Sequence, residues 1–114
     1  MRKACVIPTD ASGLSAEIDL GANFLLCAID MPNDWSAADL TFQVSSEPGG
    51  TFNNLYDSAG SEKSIKVDKD CYVVLGDLEF WRGVRYLKVR SGTATTPVQQ
   101  GAARTLYLVT RPAY

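Results

Sequence analysis

Ala38-Asp39-Leu40-Thr41-Phe42-Gln43-Val44-Ser45-Ser46-Glu47-Pro48-Gly49-Gly50-Thr51-Phe52-Asn53-Asn54-Leu55-Tyr56-Asp57 is the stretch that decides the fold. Leu40, Phe42 and Val44 alternate with Thr41, Gln43 and Ser45, the period of a strand buried on one side. Glu47-Pro48-Gly49-Gly50-Thr51 reads as a turn, because proline presets one backbone angle and glycine accepts angles that other residues resist. After a polar turn, a second alternation centres on Ile65 and Val67. A third runs through Val84-Arg85-Tyr86-Leu87-Lys88-Val89-Arg90-Ser91-Gly92-Thr93. Short strands at regular spacing, divided by turn signals, predict a sandwich rather than an α/β fold.

The flanking sequence extends the pattern. Lys3 to Thr9 predicts a first strand, with Ala4 and Val6 on one face and Cys5 and Ile7 on the other. Leu14, Ala16, Ile18 and Leu20 alternate with Ser15, Glu17 and Asp19, a second. Residues 23–30 are apolar on both faces, as in a central strand covered from both sides. Gly21 and Pro32 leave a buried helix too little room there. Ala38 to Ser46, Ser64 to Asp68, Cys71 to Leu75, Val84 to Arg90 and Arg104 to Arg111 complete the strands. Asp77 can cap a helical turn through Leu78-Glu79-Phe80-Trp81 ended by Gly83, and Asn33 or Asp34 can cap another. The expected fold is all-β: one antiparallel β-sandwich domain over residues 1–114, with short helical turns in its connectors. Its expected core is Ile18, Leu20, Phe24, Leu26, Leu40, Phe42, Val44, Ile65, Val67, Val73, Leu87, Val89, Leu106 and Leu108. Residues 1–10 are candidates for an N-terminal arm.

Composition excludes several function classes. The 114 residues carry 11 basic and 13 acidic side chains, a net charge of -2. No basic excess draws nucleic acid or anionic lipid. The longest apolar run, Phe24 to Ile29, is far short of the roughly 20 residues that cross a bilayer. Neither nucleic acid nor membrane is an expected partner. Met1-Arg2-Lys3-Ala4-Cys5-Val6-Ile7 begins as a signal peptide begins, but Pro8 and Asp10 cut the apolar part short. Synthesis in a cytoplasm without a signal peptide is therefore expected.

There is no histidine. That removes the commonest general base, the Ser-His-Asp and Cys-His arrangements and most catalytic zinc sites. Asp57, Asp68 and Asp70 are the carboxylates available for acid–base work, but they fall in turns, where aspartate bonds local amides. Gly49-Gly50-Thr51 lacks the glycine spacing and the lysine of a phosphate cradle. No catalytic residue, cofactor site or metal site is expected. Tyr86, Lys88 and Arg90 share one strand face, read as solvated.

Three cysteines leave at least one thiol unpaired within the chain. Cys27 and Cys71 lie in hydrophobic runs and are expected to be buried. Cys5, near the terminus, is the candidate reactive or intermolecular thiol. Trp35 and Trp81 sit in connectors, where tryptophan either plugs an open end of a sandwich or anchors a partner. The longest irregular stretch, Ser91 to Ala103, is polar. The interface candidates are Cys5, Trp35, Trp81, Thr93, Thr95, Gln99 and Gln100.

The stretch from Gly21 to Pro112 resembles small proteins of tailed phages and prophages, of the alphaproteobacterial type. The resembling residues are Met31-Pro32 with Trp35, Ala38 to Ser45, Gly50-Thr51-Phe52, Leu55-Tyr56-Asp57, Arg85 to Thr93 and Thr105 to Pro112. The resemblance implies a virion-associated structural protein in many copies, as a homo-oligomer or symmetric array, contacting other virion proteins. A decoration (cement) protein of the capsid, or a neck, collar or tail accessory, fits that description. A weaker similarity, over residues 40–57 and 85–90, is to galactose-binding-like jelly rolls. It implies a jelly-roll-like sandwich and, as the alternative function, a carbohydrate-binding module.

Overall fold

The computed structural model describes residues 1–113. Its elements are β1 (Arg2–Ile7), β2 (Ile18–Asp19), β3 (Phe24–Asp30), β4 (Leu40–Ser45), β5 (Asn53–Asn54), β6 (Tyr72–Val74), α1 (Leu78–Trp81), β7 (Tyr86–Ser91) and β8 (Arg104–Pro112). They form two four-stranded antiparallel sheets, ordered β1-β8-β3-β6 and β2-β7-β4-β5. The strands pair first with eighth, second with seventh, third with sixth and fourth with fifth. That is one long antiparallel hairpin rolled up, the jelly-roll arrangement. Pairing of β3 with β8 and of β4 with β7 closes the roll.

The β4–β5 connection follows from its residues. Gly50 N–H donates to Glu47 C=O at 3.2 Å, with Pro48 and Gly49 between them. Gly49 has φ +67°, the left-handed angle a type II turn requires at its third position.

The core lies between the sheets. Phe42, Leu40, Leu87 and Val89 from one sheet meet Cys5, Ile7, Leu26, Ile29, Leu106 and Leu108 from the other, all fully or almost fully buried. Of the expected core, Ile18, Phe24, Val44 and Val73 are only half-buried. Cys5, Ile7, Ile29, Met31, Trp35, Leu75, Trp81 and Val84 join it instead.

Four local expectations are corrected. Residues 1–10 are not an arm: Arg2–Ile7 pairs along its whole length with β8, because Cys5 and Ile7 reach the core. Ser64–Asp68 contributes a single bridge, Ile65 to Leu40. The rest of that edge of β4 is taken by β5 and by Leu55 N–H donating to Phe42 C=O. Leu14–Leu20 tracks β7 but is regular only at Ile18–Asp19, since Ser15 exchanges bonds with Val89: its N–H donates to Val89 C=O and its Oγ accepts from Val89 N–H. Asn33 and Asp34 form a turn without a helical residue.

Candidate functional site

The expected contact residues are mostly interior. Trp81 is 0% exposed and packs edge-on against Phe42 and Phe80, with ring centroids 5.3 and 5.2 Å away. Its Nε1–H donates to Asp77 Oδ1 at 3.2 Å. Asp77 therefore orients the indole one turn on, and its side chain makes no cap for α1. Trp35 is buried too, its Nε1–H donating to Ala38 C=O at 3.0 Å. Both tryptophans plug the sandwich, and neither is free to anchor a partner.

Gln100 is a buried clamp. Its Oε1 accepts from Ser36 N–H at 2.8 Å and Arg104 Nε at 3.3 Å. Its Nε2 donates to Ser36 C=O and Ser91 Oγ. This ties the β7–β8 loop to the connector carrying Trp35. Thr93 Oγ1 accepts from Thr96 N–H at 3.0 Å, so the loop tip is held from within. Of the candidates in this loop, Thr95 and Gln99 are exposed and Thr93 is half-buried.

The cysteines reverse their expected order. Cys5 is 1% exposed, and burial pushes its thiol up to about 12 against a smaller opposing pull from the Ser15 hydroxyl. Cys27 is half-buried, at the point where the β3–β8 register shifts, and Cys71 is exposed just before β6.

Arg90 also departs from its expected solvated face. It is buried, donating from Nε to Thr41 Oγ1 at 2.9 Å, from Nη1 to Asn54 Oδ1 at 3.1 Å and from Nη2 to Glu62 Oε2 at 3.0 Å. Asp57 and Asp68 serve their turns: Asp57 Oδ1 accepts from Ala59 and Ser61 N–H, and Asp68 Oδ1 from Lys69 N–H. Among the described residues, no group of three or more His, Cys, Asp or Glu is placed to hold a metal.

What stands out instead is the outer face of the β1-β8-β3-β6 sheet. Because Cys5, Leu106, Leu108 and Ile29 point inward, strand alternation sends their neighbours outward. One row across the sheet is Arg2, Val109, Ala28 and Val74; the next is Ala4, Tyr107, Asp30 and Tyr72; Val6 and Thr105 follow. Val74, Tyr72 and Val6 are 72%, 56% and 50% exposed. The Arg2 guanidinium lies 3.9 Å from the Tyr107 ring centroid. The sequence carried a signal for this face. β1, β6 and β8 have apolar residues at outward as well as inward positions, as residues 23–30 do.

A second surface feature is an open cleft of about 410 Å³ between the β4–β5 turn and the segment linking α1 to β7. Ser46, Glu47, Arg82, Arg85 and Tyr86 line it. Arg85 is held there by Asp19, with Nε–Oδ1 at 2.9 Å and Nη2–Oδ2 at 3.2 Å. No family model, curated protein or solved structure matches the chain.

Proposed function

We propose that this chain is a non-enzymatic structural component of a tailed-phage virion, a capsid decoration protein or a neck, collar or tail accessory present in many copies. The observation that carries the reading is the outer face of the β1-β8-β3-β6 sheet. An antiparallel sheet with one face in water ordinarily alternates apolar-in and polar-out. Here valines and tyrosines from β1, β8 and β6 share the outer face with Ala28 and Asp30 of β3. A face of this kind is a surface for other proteins, and repeated copies on a particle let modest contacts add. The phage-family resemblance of residues 21–112 supports the same reading. The test is mass spectrometry of gradient-purified particles made from the genome that encodes the chain. The protein at a fixed ratio to the major capsid protein is expected; its absence from the particles overturns the proposal.

The cleft favours one second reading, a carbohydrate-binding module. Tyr86, with the Arg85 guanidinium 4.8 Å from its ring centroid, stands with Arg82, a glutamate and serine hydroxyls as hydrogen-bonding groups for a sugar. Binding to a glycan array that is lost in Tyr86→Ala would support it, and an array with no signal would dismiss it.

A further inference from the structure

β1 has an open edge, and the hydrogen-bond phase of the sheet fixes which groups line it. Thr110 N–H donates to Met1 C=O at 2.8 Å, and the Met1 amine donates to Thr110 C=O at 3.2 Å. In an antiparallel ladder such bonded pairs alternate with unbonded ones. Lys3, Cys5 and Ile7 therefore bond to β8 through the unbroken register that follows. Arg2, Ala4 and Val6 turn their N–H and C=O groups the other way. All three residues are exposed. The connector from β1 to β2 runs along β7 and leaves this edge uncovered, as Ser15 and Leu14 show by bonding to Val89 and bridging to Arg90.

We infer that a second copy of this chain pairs antiparallel with β1, joining two four-stranded sheets into one of eight strands. One register uses all three outward residues of both copies. With Ala4 opposite its own copy, Arg2 faces the second copy's Val6, and three bonded pairs supply about six hydrogen bonds. The two Arg2 guanidinium groups then lie roughly 14 Å apart along the strands. Lys3 faces the second copy's Cys5. Sliding the register to centre on Lys3 or Arg2 sets like charges directly opposite, which opposes pairing. Ala4, the smallest side chain on β1, sits at the two-fold axis, where bulk would meet its own copy. The other edges are poorer templates: β6 has three residues, and β2 and β5 have two each. The outer apolar faces become continuous across the pair, so one dimer presents twice the docking surface to a particle.

This names a partner for the assembly reading and rests on it only for its purpose, since the association is read on purified protein. Sedimentation velocity from micromolar to near-millimolar concentration is expected to give twice the 12.4 kDa chain mass. Ala4→Pro deletes an outward N–H and no bond to β8, a position where edge strands accept proline. Ala4→Glu sets two carboxylates face to face. Each should weaken self-association about tenfold or more, with near-wild-type circular dichroism. If Ala4→Pro fails to fold, Ala4→Glu decides alone. A wild-type monomer throughout the range, or a dimer unmoved by a folded Ala4→Glu, overturns the inference. A monomer that is still found on particles overturns it while leaving the assembly reading in place.

Discussion

Arg90 and Glu62 form an ion pair, Nη2 to Oε2 at 3.0 Å, with side chains only 6% and 20% exposed. Glu62 Oε2 also accepts from Ala94 N–H at 3.1 Å, so the carboxylate fastens the start of the β7–β8 loop to β7. Removing one partner strands a buried charge. Glu62→Ala should cost about 3 kcal/mol, the low end of the range for broken buried pairs because Glu62 keeps some water contact. Urea unfolding measures this; a loss under about 1 kcal/mol would put the pair in the class of surface salt bridges.

Trp81 is a core residue, and its substitution should behave as one. Trp81→Ala should cost about 3–5 kcal/mol, by removing the contact with Phe42 and the bond to Asp77. Thermal unfolding checks this. A variant as stable as wild type would return Trp81 to the surface.

Thiol reactivity should follow the order Cys71, then Cys27, with Cys5 inert in the folded chain. The raised Cys5 pKa also has a stability consequence. Folding favours the neutral thiol, so the contribution is full below the unfolded pKa of about 8.5. It fades as pH rises toward the folded value of about 12. Timed alkylation with peptide mapping reads the order, and early labelling of Cys5 would contradict it.

Asp19 and Asp77, each paired with a cation, should contribute to the acid limb. The Arg85 hydrogen bond, opposed by a smaller desolvation effect, holds the Asp19 carboxyl below its ordinary value. For Asp77, burial is the largest single influence and pushes upward. The bond and charge of Lys63 together with the Trp81 N–H outweigh it, and the net direction is down. A depressed carboxylate stabilises the fold fully above the unfolded pKa of about 3.9. That contribution is lost as pH falls through the lower folded value. Asp19→Asn and Asp77→Asn should each flatten the loss of stability below about pH 4. Unchanged slopes in denaturant titrations at several acidic pH values would refute the assignment.

The alternation at Leu40, Phe42 and Val44 and at Leu87 and Val89 was enough to read the sandwich, because a strand with one wet face advertises its period. Residues 64–68 misled for a physical reason. Ile65 and Val67 are buried, yet the edge they would pair with belongs to β5. Hydropathy reports burial and not the availability of a hydrogen-bonding edge. Nearness to the terminus makes Cys5 look reactive; alternation sets it beside Ile7 and opposite Val6, and only the packing shows that the Cys5–Ile7 face is the inward one. The tryptophans are legible as plugs or anchors, and only the burial of both, with Trp81 against Phe42 and Trp35 bonded to the Ala38 carbonyl, decides between these. The apolar outer face went unread, since two-sided apolar strands look like central ones until the sheet order is known.

The most direct test of the assembly claim is occupancy on purified particles, measured as the ratio of this chain to the major capsid protein for wild type, a Tyr72→Asp/Val74→Asp double variant and an Arg82→Ala cleft variant. Tyr72 and Val74 are the most exposed apolar side chains on β6, so the double variant should fold as wild type does. The account predicts a fixed ratio for wild type and Arg82→Ala, and a fall of about tenfold or more when charge is placed on the apolar face. Particles devoid of the wild-type chain, or a folded double variant at full occupancy, would contradict it.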